Sequence, residues 1–231
     1  MKTKVMVSWS SGKDSALTLI KLLDDPTIEV VGLYTTCLED EVPFQATPID
    51  VLKQQAALTG LPLVLIPLPE VFPPNALYQS RVVEGLRNSG LEIDAVAFGD
   101  MFCNGIAEYR RGYIEPAGWQ CLFPLLGRDS RELAEEIIHS GIQTLITTVD
   151  THQLDGEYCG QWYNADLLAR LPLHVDPCGE NGEFHTLVVQ APCFREALKI
   201  QRLDCERQAR FHYQRYQLIE PDGEISSAGD F

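Results

Sequence analysis

From Val5 to about Phe123, short apolar runs alternate with amphipathic stretches. No other feature constrains the fold as strongly, because this is how a parallel sheet covered by crossover helices reads. Strands are expected at Lys4–Val7, Glu29–Thr35, Leu63–Pro67 and Ala95–Gly99, the last a buried run that ends on Asp100. Helices are expected over 15–23, 48–59, 75–88 and 104–115, the first with apolar Ala16, Leu19, Ile20 and Leu23 at helical spacing. The implied fold is α/β, a Rossmann-like parallel sheet with helices on both faces.

The second half reads differently. Phe-Pro-Leu-Leu-Gly-Arg-Asp-Ser at 123–130 marks a boundary and introduces a helix over Arg131–Ser140, capped by Asp129 or Ser130. A strand at Thr144–Val149, a polar stretch over 150–160 and a short helix near 165–171 follow, and Asp176–Thr186 has the composition of a loop. Residues 187–190, 198–205 and 211–219 look strand-like, although 198–210 reads equally well as a charged helix. Two domains are therefore expected, 1–124 and a smaller α+β domain over 125–231.

Charge and cysteine usage narrow the function. The 231 residues carry a formal net charge of −15, which repels a long polyanion and leaves room for a nucleotide pocket; no nucleic-acid partner is expected. Seven cysteines form no C-x-x-C pair, against a zinc knuckle, a thioredoxin-type motif or a disulfide lattice. No apolar stretch approaches the ~18 residues of a membrane span. The expectation is a soluble, cytoplasmic chain with reduced thiols.

The residues that carry chemistry begin with Ser8-Trp-Ser-Ser-Gly-Lys-Asp-Ser15, between the first strand and the first helix. Small residues let the backbone turn tightly, and N–H groups, hydroxyls and a helix N-terminus then converge on one spot, a phosphate cradle. Ser10, Ser11, Gly12, Lys13, Asp14 and Ser15 are the candidate contacts. A Walker A loop is excluded, because Val7 holds its first glycine position and Asp14 follows Lys13. The plain alternative is an ordinary βα turn with Lys13 in solvent. Leu33–Thr36, at the second strand's end, is the expected wall for a base, with Thr35 in the site.

Ser10-Ser-Gly-Lys-Asp-Ser15 resembles the PP-loop of the ATP pyrophosphatases, S-G-G-x-D-S, with Ser11 where the second residue is commonly Gly. Gly99-Asp100, Tyr109-Arg110-Arg111 with Glu115, Pro124-Leu125, and Gly179-Glu-Asn-Gly-Glu-Phe-His-Thr186 with Pro192 and Phe194 follow the order of the diphthine–ammonia ligase family. The resemblance implies an adenine nucleotide alpha hydrolase-like fold and an ATP-dependent ligase. Such an enzyme would transfer AMP to a substrate carboxylate, release pyrophosphate and form an amide with ammonia. Members of that family act so on a modified histidine of an elongation factor; bacterial members exist in hosts that lack it, so the acceptor stays unidentified.

Mg2+ would bridge the phosphates on one or two carboxylates, Asp14 and Asp100, with Gly99 beside them. Lys13 and Arg111 would neutralise the α phosphate, unless Arg111 simply pairs with Glu115. On the acceptor side stand Glu115, Glu180, Asn181, Glu183, His185 and Thr186, with Glu180, Glu183 and His185 as candidates to bind ammonium or take its proton. Two other readings are carried. One is a PP-loop sulfur-transfer enzyme, which would need a pair among Cys37, Cys103 and Cys121; the other is an ATP sensor without turnover. Neither the ammonia source nor the oligomeric state is fixed, and a homodimer is admissible.

Overall fold

In the computed structural model, which describes residues 1–43, 45–102 and 104–219, the four expected strands and four expected helices of the first half are present, with three further short strands. Its elements are β1 (Thr3–Ser8), α1 (Lys13–Asp24), β2 (Ile28–Cys37), β3 (Glu41–Val42), β4 (Thr47–Pro48), α2 (Ile49–Thr59), β5 (Leu63–Pro67), α3 (Asn75–Arg87), β6 (Ala95–Ala97), α4 (Ile106–Ile114) and β7 (Gln120–Leu122). Five strands form one sheet in the order β5-β2-β1-β6-β7, every pair parallel. The chain therefore winds outward from β1 in one direction, returns, and winds outward in the other, which places the reversal between β1 and β6. In such sheets ligands bind beyond the carboxyl ends of the strands at that reversal.

Val5, Met6 and Val7 of β1 are fully buried because helices cover both faces. Beneath α3 and α4, Met6, Ile66, Val82, Leu86, Phe98 and Ile114 form the smaller of two apolar clusters. The larger lies on the opposite face, where α1 packs on β2 and on the second half. The apolar stripe of α1 is broader than its spacing suggests: Ala16, Leu17, Leu19 and Leu22 are buried, whereas Leu23 is 51% exposed at the helix end.

The second half adds α5 (Ser130–His139), β8 (Gln143–Asp150), α6 (Ala165–Arg170), β9 (Phe184–Gln190), β10 (Ile200–Arg207) and β11 (Phe211–Leu218). Asp129 caps α5, accepting from the N–H groups of Arg131 (2.9 Å) and Glu132 (3.0 Å). The four strands make an antiparallel sheet in the order β10-β11-β8-β9. Residues 200–207, readable as strand or helix, are a strand laddered to β11; most of their side chains are exposed, so no hydrophobic period marked them. The larger cluster runs from Val5 to Tyr216, so the two sheets share one core across residue 124.

Three departures concern the site. The first helix begins at Lys13, which puts Lys13 and Asp14 in its first turn instead of the preceding loop. Phe184, His185 and Thr186 belong to β9, so only 176–183 are loop. The edge strand β7 was not expected, since its three residues are too short a run to register. Among the described residues no helix is long and apolar enough to cross a membrane.

Candidate active site

The turn from β1 to α1 is shaped by what lies against it. Ser11 is in the left-handed region at φ 68° and wholly buried, its Oγ 2.8 Å from Thr47 Oγ1. Its carbonyl accepts from the Val188 N–H (2.9 Å) and from Gln55 Nε2 (3.2 Å), so β9 and α2 fix the turn. Gln55 is buried and fully used: Nε2 also donates to the Val188 carbonyl (2.7 Å), and Oε1 accepts from Trp9 Nε1 (3.1 Å). A side chain at Gly12 would be crowded, because a Cβ there would lie 3.1 Å from the Thr186 carbonyl oxygen.

A serine at φ 68° is strained where glycine would not be. Ser11→Ala keeps the strain and loses the Thr47 hydrogen bond, so destabilisation of about 1–2 kcal/mol is expected; Ser11→Gly trades the bond for relief of strain and should be within about 1 kcal/mol of the parent. Thermal unfolding of both variants checks this, and equal losses would show that the backbone angle carries no strain.

Gly12 supplies no side-chain cap to α1, which leaves the helix N-terminus to favour an anion. Ser10 Oγ and Ser15 Oγ lie 3.3 Å apart, and Ser15 Oγ donates to the Gly12 carbonyl (2.9 Å). Thr186 Oγ1 accepts from the Lys13 N–H at 3.2 Å, bringing β9 to the mouth of the turn. From the other side the end of β6 presses in: a Cβ on Gly99 would lie 3.1 Å from the Asp14 carbonyl carbon.

The resulting cleft has a volume of about 310 Å³; Ser10, Lys13, Asp14, Arg110, Glu180 and His185 are among its walls. It lies beyond the ends of β1 and β6, where the winding reverses. His185 and Gly182 are shared with a second cavity of about 490 Å³, beyond the end of β2, lined also by Leu38, Asn181, Phe211 and Tyr213.

Charges in the cleft are tightly organised. Lys13 is buried at 2% exposure; its Nζ donates to Asp14 Oδ2 (2.8 Å) and to the Cys178 carbonyl, and lies 5.6 Å from the centre of the Phe184 ring. Burial opposes its charge, but Asp14, Cys178 and Glu180 outweigh that and hold its pKa above the ordinary lysine value. Burial raises the Asp14 pKa against the pull of Lys13. Glu180 is pushed up to about 8, first by burial and then by Asp14, with Asp176 and Asp100 adding to it. His185 is pushed down to about 4 by burial and by the Lys13 charge, so its ring is neutral at pH 7.

Of the residues expected in the site, Ser10, Gly12, Lys13, Asp14, Ser15, Gly99, Asp100, Glu180, His185 and Thr186 do line this one cleft. Others are elsewhere. Ser11 is beneath the turn, and the buried Thr35 donates its hydroxyl to the Trp9 carbonyl, bracing the turn from behind. Leu33 and Tyr34 are likewise covered, leaving Leu38 as the β2-side wall of the second cavity. Asn181 faces that second cavity.

Glu183 is 2% exposed and bound into its own turn: Oε1 accepts from the Asp176 N–H (2.8 Å) and Asn181 Nδ2 (3.0 Å), Oε2 from the Asn181 N–H (2.9 Å). Arg111 and Glu115 pair with each other at 2.8 Å on the outside of α4, both nearly half exposed. Successive helical residues point about 100° apart, and it is Arg110 that turns into the cleft. Sequence reasoning passed over Arg110, although it sits within Tyr109-Arg110-Arg111; no periodicity distinguishes the two arginines without knowing which face α4 buries.

The fit to a divalent cation rests on Asp14. Its Oδ1 is buried with no hydrogen-bond partner, while Oδ2 takes Lys13. Among the described residues no three His, Cys, Asp or Glu side chains group as an all-protein metal cage. One open carboxylate oxygen beside a phosphate cradle suits Mg2+ shared with phosphates, which needs only one or two carboxylates.

A Rossmann-like parallel sheet with a serine-rich turn at its winding reversal, closed by an antiparallel sheet, is the class of fold the structure defines. Residues 129–222 match the family described as diphthamide synthase C-terminal domain. A curated relative, the diphthine–ammonia ligase of Schizosaccharomyces pombe, is 23% identical over 219 residues, covering 84% of this chain and 36% of its own length. Both findings support the family that the motifs resemble. The chain spans about a third of the length of that relative.

Two solved structures are similar in part. The predicted subunit of a tRNA methyltransferase from Methanocaldococcus jannaschii shares 18% identity over 64% of this chain and 78% of its own, with a TM-score of 0.39. A U34-tRNA thiolase from Methanococcus maripaludis shares 16% over 58% and 57%, with a TM-score of 0.34. Likeness this slight says nothing about substrate or reaction.

Proposed function

We propose that the protein is an ATP-dependent ligase that adenylates a carboxylate, releases pyrophosphate and forms an amide with ammonia. The observation that carries this reading is Glu180, a carboxyl with a pKa near 8 facing the PP-loop turn in one cleft. A sensor of ATP has no use for such a group, whereas ammonium delivery does: a carboxylate attracts NH4+, and a pKa near neutrality lets it take the proton.

In this reading the phosphates lie at the N-terminus of α1, against Gly12 and the hydroxyls of Ser10 and Ser15. The base extends toward the second cavity past His185. Lys13 draws charge from the α phosphate as AMP moves to the acceptor oxygen. A carboxylate is a poor acyl donor because oxide would have to leave; the acyl-adenylate has a stable leaving group, and ammonia then displaces AMP. Glu180 holds the ammonium and accepts its proton, while the neutral His185 ring is free of competing charge. Mg2+, bound through Asp14 with Asp100 nearby, would supply charge neutralisation on the phosphates.

Sulfur transfer finds less support. Cys37 and Cys121 are buried outside the cleft, and Cys103 lies outside the described residues. The thiol of Cys178 donates to the Ser130 carbonyl (3.2 Å), and its pKa is pushed up to about 11 by burial, so it is a poor nucleophile.

The test is product identity: ATP with ammonium and a panel of carboxylates should give AMP and pyrophosphate, and orthophosphate with ADP would reject the reading. Asp14→Asn keeps the shape and the hydrogen bond from the buried Lys13 but removes the charge that balances it, so some loss of Tm is expected, and Mg2+-dependent turnover of the folded variant should fall by about 100-fold, a magnitude typical of losing one electrostatic contact to the reacting centre. Turnover at the parental rate across a magnesium titration would remove Asp14 from the metal site.

A further inference from the structure

Two half-buried cysteines meet on one face of the antiparallel sheet. Cys205 lies in β10, the edge strand, directly opposite Gln214 of β11. Residues paired in this way in an antiparallel ladder point to the same face, so Cys205 and Gln214 share one. Against that face runs the turn at 156–160: a Cβ on Gly160 would lie 2.5 Å from Gln214 Oε1, and the Gly160 carbonyl accepts from Arg202 of β10 (2.6 Å). Cys159 immediately precedes Gly160. Its thiol donates to the Thr147 carbonyl of β8 (3.8 Å) and is in hydrogen-bond contact with the Cys205 thiol. Neither cysteine lines the cleft or the second cavity, and both are partly accessible.

Bonded sulfurs lie about 2.05 Å apart, so two thiols already in contact join with little displacement if one backbone has slack. Here β10 has it. The strand has a neighbour on one side only, and its pairing with β11 slips between Arg202 and Cys205, which lets it shift where a central strand could not. Among the described residues no metal-holding cluster claims either thiol.

We propose that Cys159 and Cys205 are a redox-sensitive pair that a peroxide oxidises to an intramolecular disulfide, tying the turn at 156–160 to the edge strand β10. The Cys205 thiolate attacks the peroxide O–O bond and becomes a sulfenic acid; the hydroxide that leaves takes up the proton Cys205 lost, giving one water. The Cys159 sulfur then displaces the sulfenic oxygen, which departs with the Cys159 proton as a second water. Each cysteine gives up one electron, and hydrogen peroxide takes both. The order follows from the surroundings of Cys159, whose thiol is pushed up to about 12 by burial and then by the Cys205 charge. That second contribution vanishes once Cys205 is a sulfenic acid. None of this depends on the ATP or the ligase reading.

The test treats the reduced, unaltered protein with a small excess of hydrogen peroxide, alkylates the remaining thiols and maps the peptides. A Cys159–Cys205 linked pair, reversed by dithiothreitol, is expected. The oxidised protein should melt about 5–10 °C higher than the reduced one, because the link removes freedom from the unfolded chain. Cys205→Ser should abolish that gain, and Cys159→Ser should abolish it while leaving a Cys205 sulfenic acid that dimedone captures.

Peptides in which the other cysteines have oxidised while Cys159 and Cys205 stay unlinked would overturn the proposal. So would Cys205 joined to a second copy of the chain, or both thiols carried to sulfinic acids without a link. A linked protein with an unchanged or lower Tm would show that the bond does not tie the strand, which also overturns it. Should either serine variant not fold, peptide mapping and melting of the unaltered protein in its two redox states decide the matter alone.

Discussion

Glu180→Gln should lower amide formation by 100- to 1,000-fold while ATP affinity changes less than about 3-fold, the range expected when a general base is removed and the nucleotide contacts are kept. The substitution conserves shape in a half-buried turn, so the loss would lie in the ammonium step. Measuring AMP release at saturating ATP and varied ammonium separates the two, and product at the parental rate would remove Glu180 from the chemistry.

The same variant has a stability signature. Glu180 has its pKa raised to about 8, so between its unfolded value and 8 the folded state binds more protons than the unfolded, and stability falls as pH rises through that window. His185, lowered to about 4, acts oppositely and only below about 6.5, losing stability as pH falls. From pH 6.5 to 8 Glu180 therefore titrates without that interference. One proton over this span amounts to at most about 2 kcal/mol, or roughly 5 °C of Tm for a chain of this size. The parent should lose that much relative to Glu180→Gln; parallel curves would mean that Glu180 is not desolvated.

Glu183 should behave in the opposite manner. Its carboxylate accepts three hydrogen bonds that hold the 176–183 turn, and Glu183→Gln replaces one acceptor oxygen by a donor facing another donor. Loss of charged hydrogen bonds at a buried site is worth about 2–4 kcal/mol, roughly 10 °C of Tm here. The turn carries Glu180 and contacts Lys13 through the Cys178 carbonyl, so ATP affinity should fall together with stability. A variant of parental Tm with amide formation selectively lost would restore Glu183 to the chemistry.

That contrast shows where the sequence stops. Gly179-Glu-Asn-Gly-Glu-Phe-His-Thr186 announces a built site, but its two glutamates have the same chemistry on paper. What separates them is backbone direction. Gly179 at φ 74° leaves no space for a side chain, because a Cβ would lie 2.8 Å from the Phe184 carbonyl oxygen. With Gly182 at φ 82° the turn closes on Glu183 and leaves Glu180 in the cleft wall. The same applies to Arg110 and Arg111, which only the burial of one face of α4 distinguishes.

The parallel sheet and the serine-rich turn at its centre, with Lys13 and Asp14 beside it, follow from the sequence alone, because they depend on local periodicity and on residues adjacent in the chain. Short edges such as β7, and β10 with its exposed side chains, left no periodic trace. The closing of the cleft was decided by tertiary structure. Val188 bonds Ser11, and Thr186 meets Lys13, across more than 170 residues. Pairs so distant are brought together only when the two sheets bury one shared core, and it is that burial which gives Glu180 its pKa.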